Sequence, residues 1–134
     1  MAPDARRRLG DAGEALVARW YEARGFVVVD RNWRCREGEL DLVCAGQQSG
    51  VAVLVFCEVK TRRSTAFGSP LEAVTVTKQR RIRVLARRWL EEQGSGGRDA
   101  VAARTRAPRL RFDVASVLAL PGAAPEITVV EAAF

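Results

Sequence analysis

The hydrophobic and polar positions along the chain divide it into seven elements in the order α-β-β-β-α-β-β. Leu9, Ala12, Leu16, Trp20 and Ala23 recur at helical spacing, which predicts a helix over Asp11 to Arg24, with Gly25 just past its end. Phe26 to Asp30 is a β-branched run, and in Glu39 to Cys44 the residues Leu40, Leu42 and Cys44 alternate with Glu39, Asp41 and Val43, the period of a strand. The cluster Gly46-Gln-Gln-Ser-Gly50 is a turn, and the apolar run Val51 to Lys60 follows it, so the second and third strands are expected to form an antiparallel hairpin. Ser69-Pro70-Leu71-Glu72 has the pattern of a capping box, with Thr77 as a second cap, and the helix it opens should run to about Gln93. On that helix Ile82, Leu85, Ala86 and Trp89 make the buried stripe, Arg80, Arg83 and Arg87 lie opposite, and Lys78 falls on the buried side near the start. Gly94 to Arg109 is rich in Gly, Ser, Ala and Arg and is expected to be a mobile loop; Leu110 to Leu120 and Glu126 to Ala132 read as the last two strands. No internal repeat is present, and the 134 residues form one expected domain, large enough to bury a core without staples.

The third strand ends in Phe-Cys-Glu-Val-Lys, residues 56–60. Side chains alternate along a strand, so Glu58 and Lys60 point to the same face about 7 Å apart. A buried strand has no structural need for two charges there, and each requires a partner, a metal or a substrate anion. The chain has twenty Arg and two Lys, so a lysine at 60 stands out against its basic background. Folding back about the Gly46 to Gly50 turn brings Asp41 beside this end of the strand.

Composition narrows the chemistry. A net charge of +6 with 48% hydrophobic residues describes a globular chain whose expected partner is polyanionic, with Arg enrichment through a coding bias as the alternative. The absence of His removes Ser-His-Asp hydrolysis, Cys-His proteolysis, His-dependent nucleases and most zinc enzymes. Cys35, Cys44 and Cys57 have no CxxC spacing and read as core hydrophobes in a reducing compartment. No apolar stretch is long enough to span a bilayer, which points to the cytoplasm and to no membrane partner.

Two carboxylates and a lysine at one end of a hairpin suit metal-assisted phosphodiester hydrolysis: hard oxygens hold Mg2+ (or Mn2+), and a nearby cation steadies water and developing charge. A structural ion pair between Lys60 and an acid is the alternative. Gly10-x-x-Gly13-Glu14, Arg31-Asn32, Gly38-Glu-Leu-Asp-Leu-Val, Phe56-Cys-Glu-Val-Lys-x-Arg62, Phe67-Gly-x-Pro70, Lys78, Arg111-Phe-Asp113 and a terminal Ala-Phe resemble the uncharacterised bacterial YraN-like family. That family is similar to the PD-(D/E)xK, restriction-endonuclease-like superfamily and most nearly to archaeal Holliday-junction resolvases. The resemblance implies an α/β fold with an αβββαβ core, a mixed central sheet flanked by helices. It also implies Asp41, Glu58 and the Val59 carbonyl as metal ligands, Lys60 as the water-positioning cation and Glu14 as an added acid from the first helix. Arg31, Arg34, Arg62 and Lys78 are the expected nucleic-acid contacts, and a homodimer stays open. Arg111 and Asp113 share a strand face and read as a structural pair; Trp20, Trp33 and Trp89 read as packing, with a place in a binding groove open to Trp33. Arg6-Arg7-Arg8 is a solvated run that could touch phosphates. The function expected is a metal-dependent endonuclease acting on DNA, branched or structured DNA included; the alternative is a non-catalytic nucleic-acid-binding module on the same fold.

Overall fold

A computed structural model describes residues 3–66, 68–101 and 108–134. The order is α1 (Pro3–Glu22), β1 (Val27–Cys35), β2 (Gly38–Gln48), β3 (Val51–Arg62), a 3-10 turn (Pro70–Ala73), α2 (Val76–Val101), β4 (Arg109–Leu118) and β5 (Glu126–Val130). The five strands form one mixed sheet in the order β1-β2-β3-β4-β5. β1, β2 and β3 are antiparallel neighbours, β3 and β4 run parallel with α2 between them in the chain, and β5 returns antiparallel to β4. This is the expected α/β architecture with its αβββαβ core.

Both faces of the sheet are covered, which is why β3 reads as a continuous apolar run rather than an alternation. Val17, Ala18 and Tyr21 of α1 pack on Leu42, Cys44, Val55 and Cys57 on one face. On the other, Ile82, Leu85, Ala86 and Trp89 of α2 pack on Val43, Leu54, Phe56 and Phe112, as the stripe on that helix predicts. Arg80, Arg83 and Arg87 are exposed. Beneath α1 lies a buried polar knot. Arg111 Nε and Nη2 donate to the two oxygens of Asp113 at 2.9 and 2.8 Å, Tyr21 Oη donates to Asp113 at 2.6 Å, and the Ala132 N–H donates at 3.0 Å. Arg111 and Asp113 are thus the structural pair their spacing suggests. Trp89 is buried, with its indole N–H on Asp30 at 2.9 Å, while the half-buried Trp33 donates to Glu92 at 2.7 Å.

Several boundaries differ from expectation. α1 begins at Pro3, not Asp11, and its buried side is Gly13, Val17, Ala18 and Tyr21, leaving Ala12 and Ala23 exposed. Counting large apolar residues misplaces the stripe because the closest approach to the sheet is made by the residue with no side chain. β1 continues through Arg31, Asn32 and Arg34 to Cys35; as an edge strand it tolerates polar residues on its open sides. Ser69 makes no side-chain cap bond, and Pro70–Ala73 forms only a 3-10 turn. The cap of α2 is Thr75, whose Oγ1 accepts the Lys78 N–H at 3.2 Å, and Thr77 lies inside the helix. α2 runs past Gln93 to Val101, so the first half of the expected 94–109 loop is helix; interior glycines weaken a helix by about 1 kcal/mol each without forbidding it. Residues 102–107 of that loop, and Phe67 of the Phe67-Gly-x-Pro70 block, lie outside the described residues. Gly25 adopts φ 86° after α1, where the Phe26 N–H reaches back to Tyr21 O at 3.1 Å, the C-terminal closure expected of it.

Candidate active site

Pairing of β2 with β3 sets Leu42 opposite Cys57, which brings Asp41 to the level of Glu58 and Val59. The Val59 N–H donates to Asp41 Oδ2 at 2.8 Å. Leu40 joins the α2-side core and Leu42 the α1-side core, so the strand's alternation breaks at Asp41. Glu39 precedes Asp41 by two residues and joins it on the same side. Glu14 arrives from α1, and Gly13 is the reason it can: a Cβ there would run into the Thr61 hydroxyl and lie 3.1 Å from Thr61 Cβ. Only a residue without a side chain lets α1 come this near β3. From β1, Asn32 approaches with φ 49°, a left-handed conformation that Asn tolerates better than most residues. Carboxylate oxygens of Glu14, Glu39 and Asp41 lie within 4.8 Å of one another, and Glu14 Oε2 is buried without a hydrogen-bond partner.

Electrostatics follow from this crowding. Burial, then the charge of Glu58, push Asp41 up to about 8 against the opposing Val59 N–H, with Glu14 and Glu39 adding to the rise. Burial raises Glu14 as well, opposed by the Asn32 amide and reinforced by Glu39, Asp11 and Glu58. Glu58, 9% exposed, is held differently: Lys78 Nζ lies 2.8 Å and Lys60 Nζ 3.4 Å from its Oε1. Burial lowers the Lys60 pKa, and the neighbouring Lys78 lowers it further. Burial also opposes the charge of Lys78, but Glu58, Lys60 and Asp41 outweigh it and hold Lys78 above its ordinary value.

Of the residues singled out from the sequence, Glu14 and Asp41 therefore converge, and Glu58 and Lys60 sit beside them. Val59, expected to offer its carbonyl, is engaged with Asp41 through its N–H. Lys78 enters the site rather than an outer surface. Glu39 was missed, although its position two before Asp41 on one strand is the same signal that linked Glu58 to Lys60. Arg34 touches Glu39 at 3.2 Å on the rim, and Arg31 lies 3.9 Å from Glu22 near the end of α1. Arg62 closes β3, its carbonyl accepting the Ala119 N–H at 2.7 Å. An all-carboxylate donor set with one unpartnered buried oxygen fits a hard divalent cation such as Mg2+ or Mn2+, held by Glu14, Glu39 and Asp41.

Residues 13–117, from the glycine that seats α1 to the end of β4, match the family model of the uncharacterised protein family UPF0102. The chain belongs to this family. It is the YraN-like family that the motifs indicate, and the matched span contains Glu14, Glu39, Asp41, Glu58, Lys60 and Lys78. A UPF0102 protein of Nocardia farcinica is 46% identical over 129 residues, covering 96% of this chain and 91% of its own. A relative in Rhodococcus jostii is 46% identical over 126 residues, 94% of this chain and 95% of its own. Another in Frankia alni is 56% identical over 92 residues, 69% of this chain and 73% of its own. Their names give the family and no activity, so the chemistry has to be argued from the site.

Proposed function

We propose that the protein is a Mg2+- or Mn2+-dependent endonuclease that hydrolyses phosphodiester bonds in DNA, branched or otherwise structured DNA foremost, in the cytoplasm. The observation that carries this reading is the convergence of Glu14, Glu39 and Asp41 within 4.8 Å beside the Glu58–Lys60 pair. A cation bound there supplies Lewis-acid polarisation of the phosphate and acidifies an attacking water. Asp41, pushed up to about 8, would give up its proton to bind it, and Glu14 would add a second carboxylate. Glu58 orients Lys60, and the ammonium, on a stretch of β3 held against Ser116 of β4, stabilises charge developing on the phosphoryl oxygens. Lys60, with its charge weakened by burial and by Lys78, can also hand a proton to the leaving oxygen. No helix among the described residues is long and apolar enough to cross a membrane.

A panel of linear, flapped and four-way DNA incubated with Mg2+ or Mn2+ tests the proposal directly; no cleavage of any substrate with either metal sinks it. The non-catalytic binding module has one observation in its favour. Glu58 is already neutralised by two lysines, which needs no metal. That reading predicts DNA binding indifferent to Mg2+ and no thermal shift on adding the metal to free protein.

A further inference from the structure

Two glycines of α1 answer to different constraints. Gly13 is required by Thr61, but a Cβ at Gly10 would meet nothing within 4 Å. A glycine inside a helix weakens it, and packing gives no reason for this one. Gly10 instead forms the floor of a cleft of about 560 Å3 between the first turns of α1 and the middle of β1. Arg6, Arg7 and Asp11 stand exposed on the α1 side of the cleft, Asn32 and Arg34 on the β1 side, and the less exposed Glu14 and Glu39 complete its lining. Arg6 and Arg7 are exposed and have no acid partner among the described residues, whereas Arg34 is tethered to Glu39 at 3.2 Å. The exposed rim, three arginines against the single acid Asp11, is therefore basic, and the less exposed Glu14 and Glu39 make the rest acidic. A phosphodiester is attracted by the first and repelled by the second.

We propose that this cleft seats the phosphate backbone of one DNA strand next to the bond to be cut. Arg6, Arg7 and Arg34 contact its phosphates, and the strand enters fully only when a divalent cation has neutralised Glu14 and Glu39. The inference rests on the endonuclease reading and goes beyond it by naming the strand's path and its dependence on the cation. The volume is that of a ligand site, with room for a short stretch of one strand. Guanidinium groups suit phosphate oxygens by their paired donors, and Gly10 lets the strand's backbone approach the helix without a side chain in the way. Since cation and strand meet at the same acids, each must raise the other's affinity by the same factor.

Fluorescence anisotropy of a labelled flapped DNA, measured in the Lys60→Ala background so that the probe stays intact, separates the possibilities. The double variant Arg6→Gln/Arg7→Gln is compared with Arg80→Gln/Arg87→Gln, which removes the same charge from the solvent face of α2. In millimolar Mg2+ the cleft pair should weaken binding about tenfold and flatten the salt slope by about 1.4 to 1.8, the loss of two phosphate contacts, with little change in the α2 pair. In EDTA the gap between the two pairs should close. Gly10→Gln, which changes no charge and favours the helix, should weaken Mg2+-dependent binding while leaving the fold intact by circular dichroism. Equal losses from both pairs, or parental binding by Gly10→Gln, overturn the cleft while leaving the endonuclease proposal to its own cleavage assay. A gap that persists in EDTA overturns the gating by cation. A parent that binds no DNA at low salt with or without Mg2+ overturns both readings.

Discussion

Gly10 and Gly13 lie three residues apart on α1, and the same substitution should move stability in opposite directions at the two. At Gly10 an alanine Cβ meets no atom within 4 Å, so the change only restricts the unfolded chain and favours the helix, a gain of about 0.5 to 1 kcal/mol. At Gly13 the helix gain is the same. Against it, the new Cβ runs into the Thr61 hydroxyl and crowds Thr61 Cβ and Cγ2 at 3.1 and 3.3 Å. Rotating Thr61 cannot relieve all three contacts, because Cβ moves only with the backbone of β3, which at Thr61 is paired with Val117 of β4. α1 must back away, and overpacking of this kind costs about 1 to 3 kcal/mol, leaving a net loss of about 0 to 2.5 kcal/mol. The predicted difference between the two variants is then about 1 to 3 kcal/mol, roughly 3 to 12 °C in Tm at this chain length. Chemical denaturation of both variants in EDTA measures it. Because Glu14 is the next residue, Gly13→Ala should also weaken Mg2+ binding, whereas Gly10→Ala should leave it unchanged. Equal stabilisation by both substitutions would refute the close seating of α1 on β3 and, with it, the argument that this contact delivers Glu14.

Four further outcomes are expected. Lys60→Ala should abolish DNA cleavage while leaving binding nearly intact, and Lys60→Arg should fail too, since a planar guanidinium does not fit the place of a compact ammonium; full activity in purified Lys60→Ala would remove the lysine from the mechanism. Asp41 is an acid whose folded pKa, about 8, lies above its unfolded value near 3.9, so its burden is absent below that value and the parent loses stability as pH climbs towards 8. Asp41→Asn keeps an oxygen for the Val59 N–H and should gain on the parent by up to about 1.4 kcal/mol per pH unit across that window in EDTA; a gap independent of pH would refute the shift. Mg2+ at ten times its dissociation constant should stabilise the parent by about 1.4 kcal/mol in a thermal melt, and the gain should vanish in Asp41→Ala. Arg111→Met, leaving a buried Asp113 charge without its cation, should cost about 3 to 5 kcal/mol by urea denaturation with no selective effect on metal binding.

What was legible in the sequence follows the reach of each signal. The strand pattern of residues 51–60 and the stripe of Ile82, Leu85, Ala86 and Trp89 were read correctly because side-chain period is set within a few residues and both faces are buried. The hairpin placed Asp41 against Glu58 because one turn fixes its register. α1 was rotated in the reading because its contact is made by Gly13, whose meaning lies in Thr61 on another element. Lys78 could be assigned to the buried side of its helix, but only α2 docked on the sheet reveals Glu58 as its partner. Glu39 lies two residues before Asp41 on one strand, the same spacing that links Glu58 to Lys60, but only the docking of α1 brings Glu14 to it and shows three acids in one cluster.

The same sheet also answers whether the acids are a structural ion-pair network. Asp113 is fully buried, and its two oxygens take four hydrogen bonds, two from Arg111, one from Tyr21 and one from the Ala132 backbone. A carboxylate kept for structure is therefore satisfied in this fold by a guanidinium, a hydroxyl and an amide aimed at it. At the other cluster Glu14 keeps a buried oxygen with no partner, Asp41 receives a single backbone N–H, and the two lysines within reach are spent on Glu58 rather than on the three crowded acids. Twenty arginines are spread over the chain, and Arg34 pairs with Glu39 of this group on its rim. Local rules of burial are broken at one place and obeyed a few strand positions away, and the contrast supports the proposed metal site over a structural ion-pair network.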